Sequence, residues 1–226
     1  MTWYAKPSGA YGYASAEGQA NISEINGFLN GENYLLTAQA GIMGNMVAES
    51  GLNPWRWQSE SVNYSGGYGL FQFTPASGYL DGCRDVYGYA PNLSTSTRTH
   101  GAFPYDGWAQ LIVFNDDLLG KWTPSCWRSY WSREEYEDLW EMREYILNTY
   151  GTGLSLSLEQ YKTIDYVNLA AFAFLACYEG PLIPNLLPRE TMANRIYTMI
   201  TGERPPTPPK LKKDGFKVWQ MALRHR

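Results

Sequence analysis

Histidine, cysteine, surplus positive charge and long apolar runs are all scarce in this chain of 226 residues, and each scarcity removes a class of function. With two histidines, His100 and His225, and three scattered cysteines, Cys83, Cys126 and Cys177, no zinc site of the usual Cys/His spacing is legible. An odd, sparse set of cysteines is not a disulfide framework. Cys177 lies in an apolar run and reads as a core thiol, a Cys83–Cys126 pair stays open, and a Cys/His peptidase would need one of the thiols beside His100. The formal net charge is −4, so the broad basic footprint of a nucleic-acid binder is missing. What positive charge does cluster is C-terminal: Lys210, Lys212, Lys213, Lys217, Arg224 and Arg226. No apolar run approaches the roughly 20 residues of a membrane span. The start, MTWYAKPSGAYGYAS, has no basic segment leading into an apolar one, so neither a span nor a secretory leader is expected.

Aromatic residues, by contrast, are abundant at 15%, with 18 Tyr and 9 Trp. Such rings offer a sugar a flat apolar face and a polar tip, although ordinary core packing uses the same residues. The pattern along the chain is mostly helical. Residues 1–22 read as an extended lead-in, and Ser23 to Leu36 as a short first helix interrupted near Gly31. Thr37 is placed to cap AQAGIMGNMVAE, which stops at Gly51. Residues 53–82 look like loop, with a small β-hairpin suggested by Gly66-Gly67 and the alternation in YGLFQF, and 84–104 look irregular. WAQLIVFNDDLL, EEYEDLWEMREYILNTY, YVNLAAFAFLACYE and TMANRIYTMIT then read as helices. Their starts are marked by the capping pairs Ser132/Glu135 and Ser157/Gln160 and by Asp165. The third is apolar on nearly every face and should be buried all round. The expected class is therefore mainly α (α+β), with one domain over 23–202 and a Pro-rich linker and basic tail over 203–226.

Glu49 is the first candidate for chemistry. Ile42, Met46 and Glu49 share a helix face. A carboxyl on an apolar face is desolvated, and in the last helical turn it meets the negative end of the backbone dipole. Both favour the protonated acid that glycosidic cleavage needs to protonate its leaving oxygen; lysozyme is the standard illustration of that tuning. The stretch after it, SGLNPWRWQSESVNYSGGYGLFQFTP, adds close-approach glycines, flat rings and the amide of Gln72. An ordinary helix-end glutamate paired with Arg56 is the plainer alternative.

GIMGNMVAESGLNP followed by GGYGLFQFTP resembles the phage tail lysozyme family, found at the N-termini of tail-knob and morphogenesis proteins of small tailed phages. DGWAQLIVF, AFAFLACYEGP and RETMANRIYTMITG resemble its later helices, so the likeness runs in order from Thr37 to Gly202. The resemblance implies a lysozyme-like fold and a glycoside hydrolase acting on peptidoglycan. Glu49 would be the catalytic acid, and Tyr68, Gln72, Phe73 and Tyr178 would line the sugar site. Glu60 and Glu179 are candidate helpers, with Asp81 and Asp85 as further carboxylates that no motif fixes. The chain departs from the pattern at Gly180, where an arginine is common. No metal and no cofactor are expected.

Three functions follow from this resemblance. The first is a muramidase that hydrolyses the β-1,4 bond between N-acetylmuramic acid and N-acetylglucosamine. The second is a lytic transglycosylase using the same acid. The third is a non-catalytic virion structural or wall-binding protein, since fold does not fix chemistry. The expected partners are glycan strands and other phage tail proteins, with no nucleic acid and no membrane. The expected place is the virion tail, with an endolysin released from the host cytoplasm as the alternative.

Overall fold

The computed structural model describes residues 3–6, 9–94, 106–125, 138–150, 155–181 and 185–207. The Ser132/Glu135 cap, Cys126, His100, His225 and the basic C-terminal cluster lie outside these. The architecture is mainly α. Its helices are α1 (Ala16–Gly31), α2 (Leu36–Ser50), α3 (Ala76–Tyr87), α4 (Asp106–Lys121), α5 (Asp138–Tyr150), α6 (Leu158–Lys162), α7 (Val167–Phe174) and α8 (Leu186–Thr201). The end of α7 widens into a π turn over Leu175–Glu179.

Helices α2 and α7 form the centre, and α8 packs against both. Every residue of α2 from Thr37 to Met46 is buried, and so is every residue of α7 except Asn168. Small residues set how close these helices come. A Cβ on Gly41 would lie 2.6 Å from the Ala170 carbonyl carbon and 2.7 Å from the Ala171 nitrogen, so α2 meets α7 backbone to backbone there. One turn on, a Cβ on Gly44 would lie 2.6 Å from the Arg189 carbonyl oxygen and 2.8 Å from Ala193 Cβ, which makes Gly44 the contact with α8. The buried Asn45 amide donates to Gly41 O (2.9 Å) and Ala171 O (3.0 Å), tying the two central helices at the same level.

Several helix ends differ from the sequence reading. The first helix starts at Ala16, because Ser15 rather than a later residue caps it by accepting from Gly18 N–H. Thr37 does not cap α2; its hydroxyl donates across the core to Ile164 O. Asp165 does not cap α7 either, since its carboxylate accepts from the Tyr145 hydroxyl. The Ser157/Gln160 capping box is formed, and Gly51 and Gly202 end α2 and α8 in the left-handed conformation that glycine reaches without a Cβ penalty. Helix α3 occupies a stretch read as loop. Its Gly82 packs so tightly on α4 that a Cβ would lie 2.5 Å from Val113 Cγ1.

The hairpin is not formed as a pair of strands among the described residues. The stretch makes only isolated bridges, Trp57 with Tyr68 and Tyr68 with Phe73. Residues 69–72 are a tight turn, and Gly69 and Gln72 both have positive φ, 79° and 47°.

The lead-in is packed rather than loose. Trp3 is buried against Gly107 of α4. Asn21 clamps Tyr4 through both its amide atoms and also donates to Leu52 O, while Asn53 holds Lys6 and Gly9. Cys83 and Cys177 are both buried in the core. No helix among the described residues is long and apolar enough to cross a membrane.

Candidate functional site

Asn45 and Glu49 lie four residues apart and share the face of α2 that looks toward the end of α7. The surroundings of Glu49 are not the apolar face read from Ile42 and Met46. Arg189 Nη2 of α8 donates to Glu49 Oε1 at 2.5 Å, and the same nitrogen lies 3.5 Å from Glu179 Oε2. Glu179 also feels the charge of Glu49. One guanidinium and two carboxyls thus meet where α2, the π turn and α8 converge. The side chain of Glu49 is 27% exposed, against 13% for Glu179 and 10% for Arg189. Glu49 is therefore the member of the cluster nearest to solvent.

The π turn brings Glu179 to this place, an insertion of the kind often found at functional sites. It closes at Gly180, whose N–H donates to Leu175 O at 2.8 Å with φ at +57°. That backbone suits glycine. An arginine is therefore absent at 180, and the cation beside Glu179 comes from α8 instead.

Burial pushes the Glu179 carboxyl up to about 8 from 4.5, and the charge of Glu49 pushes the same way, against the pull of Arg189. Two carboxyls this close titrate as a pair. The pair accordingly keeps one proton through the neutral range. Its net charge with Arg189 is then zero, which is the arrangement a partly buried site tolerates best.

The loop after α2 is locked against the acid helix by a buried glutamine that the sequence did not single out. Gln110 of α4 accepts from Leu70 N–H at 2.7 Å and donates to Pro54 O. A Cβ on Gly69 would collide with it at 2.2 Å. Ser50, next to Glu49, has its hydroxyl 3.0 Å from both Met46 O and Leu70 O and donates to one at a time. The turn at 69–72 is therefore fixed to the end of α2.

The rings named from the sequence serve this packing. Tyr68 is 0% exposed, stacked on Tyr79 and tilted against Trp57, so it has no free face for a sugar. Phe73 is buried too, stacked on Tyr79. Gln72 donates its amide to Arg56 O (3.2 Å) and Gly69 O (2.9 Å), which braces the turn. The Tyr178 ring packs on Phe71, Phe114 and Phe174, and its hydroxyl donates to Asp117 at 3.1 Å. Burial and the Asp117 charge push that phenol well above its usual range. Phe71, stacked on Phe114 at 4.0 Å, joins the loop to the segment that carries Glu179. Exposed rings and chains near this loop are Tyr64, which packs edge-on against Trp57, and Val62.

Glu60 is engaged elsewhere. It accepts from Gly9 N–H at 2.9 Å and pairs with Arg56 at 3.8 Å. Asp81 pairs with Arg84 at the surface, and Asp85 is exposed. Among the described residues no group of three or more His, Cys, Asp or Glu side chains is placed to hold a metal. A hollow of about 390 Å³ lined by Tyr13, Asn194, Arg195, Thr198, Met199 and Pro205 is separate, since it includes neither Glu49 nor Glu179.

Residues 20–102 match the family described as phage tail lysozyme. The chain is also similar to Morphogenesis protein 1 of Bacillus phage B103, with 27% identity over 184 residues. That alignment covers 81% of this chain and 40% of the relative, so the chain spans about two fifths of the length of the curated relative it matches. The matched segment holds Glu49, the loop and the tight turn, so the similarity to the phage tail lysozyme family falls on the part of the chain that carries the candidate acid.

Proposed function

We propose that the chain cleaves bacterial peptidoglycan as a muramidase, with Glu49 giving a proton to the oxygen of the β-1,4 bond between N-acetylmuramic acid and N-acetylglucosamine. The observation that carries this reading is the cluster in which one Arg189 nitrogen pairs with both Glu49 and Glu179, with Glu49 as its more exposed carboxyl. Glu49 protonates the leaving oxygen as the C1–O bond breaks, and Glu179 restores the proton from behind. Water then adds to C1 and returns a proton to the pair. A positioned acid of this kind accounts for roughly 100- to 10,000-fold in rate. Tyr68, Phe73 and Tyr178 support the site by holding the loop and the π turn, while Gln72 stays closest to the role read from the sequence. Its carbonyl oxygen accepts no hydrogen bond among the described residues and its side chain is partly exposed.

A lytic transglycosylase is favoured by one feature of the same pair. Inverting hydrolysis places its base about 6.5–9.5 Å from the acid across the sugar, and retaining hydrolysis places its nucleophile about 5 Å away. Glu179 shares the Arg189 nitrogen with Glu49 and so stands on the acid's own side. Glu60, with its contacts to Gly9 and Arg56, does not join them. The end group of the product separates the two. Mass analysis of fragments from purified walls is expected to find reducing N-acetylmuramic acid ends. Only 1,6-anhydro ends would assign the chain to the transglycosylases.

The relative is named for morphogenesis. We extend to this chain a place on the virion beside other tail proteins, acting on the wall from there.

A further inference from the structure

Resting on the reading of Glu49 as proton donor, we propose that Arg189 is the positioning residue of the site: one guanidinium from α8, bridging Glu49 and Glu179, holds the two carboxyls side by side with Glu49 outermost. Among the described residues it is the cation within ion-pair distance of either carboxyl. Its remaining contacts are few. Nη1 reaches Asn45 O at 3.4 Å, and Nε has no hydrogen-bond partner among the described residues. A buried guanidinium left so short of acceptors is held by charge rather than by a cage of hydrogen bonds, and its charge is matched by the carboxyl pair. Gly44 makes the arrangement possible, because any side chain there would push against the Arg189 backbone.

The chemistry follows from charge balance. With Arg189 in place, the pair is neutralised when one carboxyl is ionised and the other protonated, which is the state a proton donor needs. Without it, two carboxyls this close would take up a second proton, and the first would leave only at higher pH. The other titratable groups around Glu179 do not replace the cation. Tyr161 of α6 and Tyr178 of the π turn sense its charge but are themselves pushed well up by burial. Asp117 and Lys121 of α4 pair with each other at 2.8 Å beyond the Tyr178 hydroxyl, and Glu190, next along α8, adds a buried carboxyl rather than a cation.

The test compares the parent with Arg189→Met and Arg189→Lys, reading kcat/KM for wall cleavage against pH and, independently of activity, Tm against pH. Glu179 binds its proton more tightly folded than unfolded. Its contribution to stability is therefore complete below about 4.5 and is lost as pH rises to about 8. Arg189→Met is expected to move both the alkaline limb of activity and the end of this stability loss upward by about a pH unit or more. Arg189→Lys, which restores the charge, is expected to return both toward the parent. Should Arg189→Met not fold, Arg189→Gln takes its place, keeping hydrogen bonds but not charge. Limbs and Tm profiles that coincide with the parent's, whatever the activity, would overturn the proposal. A parent that cleaves no wall would instead sink the proposed function, and the Tm profiles alone would then decide on Arg189.

Discussion

Glu49→Gln is expected to lower the rate of wall cleavage roughly 1,000-fold while leaving the fold intact. Glutamine keeps the size of the side chain and can still accept from Arg189, so α2 and α8 stay together. What it loses is the transferable proton. The affinity for wall should change little, because the loss falls on the reacting step rather than on binding. Turbidity clearance of purified walls, with circular dichroism as the control on folding, reads both halves. A Glu49→Gln protein that clears walls as fast as the parent would move the acid elsewhere.

The largest effect on stability is expected at Gly41. Even a methyl group there would lie 2.6–2.7 Å from main-chain atoms of Ala170 and Ala171, which cannot give way as the tip of a side chain can. Gly41→Val must drive α2 and α7 apart at the centre of the core. Overpacking of this kind costs about 3 kcal/mol or more, and a chain of this size should lose roughly 6–12 °C in Tm. Gly27→Ala is the contrast. It lies in α1, exposed, with nothing within 4 Å of the added Cβ. There the better helix propensity of alanine should stabilise by up to ~1 kcal/mol. Thermal unfolding of the two variants checks both signs, and equal Tm values would contradict the close packing of α2 on α7.

Much of this was legible in the sequence, for local reasons. Gly51 and Gly202 as stops and the Ser157/Gln160 box are fixed by residues a few positions apart, and they form as read. The apolar run of α7 also announces its burial. The expectation for Glu49 rests on its motif. What escaped the sequence depends on distant partners. Arg189 and Glu49 are 140 residues apart, and nothing near either of them signals the other. Gln110 sits in an apolar helix, and only the folded loop shows why a buried amide is needed there. Thr37 and Asp165 had the right chemistry for caps but bond elsewhere, Thr37 across the core to Ile164 and Asp165 to the Tyr145 hydroxyl. Helix α3 was hidden by Gly78 and Gly82, whose cost in helix propensity is offset at Gly82 by contact with α4. The rings of Tyr68 and Phe73 looked like a sugar platform because an aromatic-rich loop and an aromatic core have the same composition.

The pH dependence of kcat/KM, which reports groups of the free enzyme, tests most directly whether Glu49 and Glu179 act as one acid sharing one proton. The account expects activity on purified walls to hold through neutral pH and to fall as pH rises through about 8, where the pair gives up its proton. In Glu179→Gln that limb should leave this position. Activity that is already lost above the ordinary carboxyl range near 4.5, or a limb that stays at about 8 when Glu179 is gone, would contradict it.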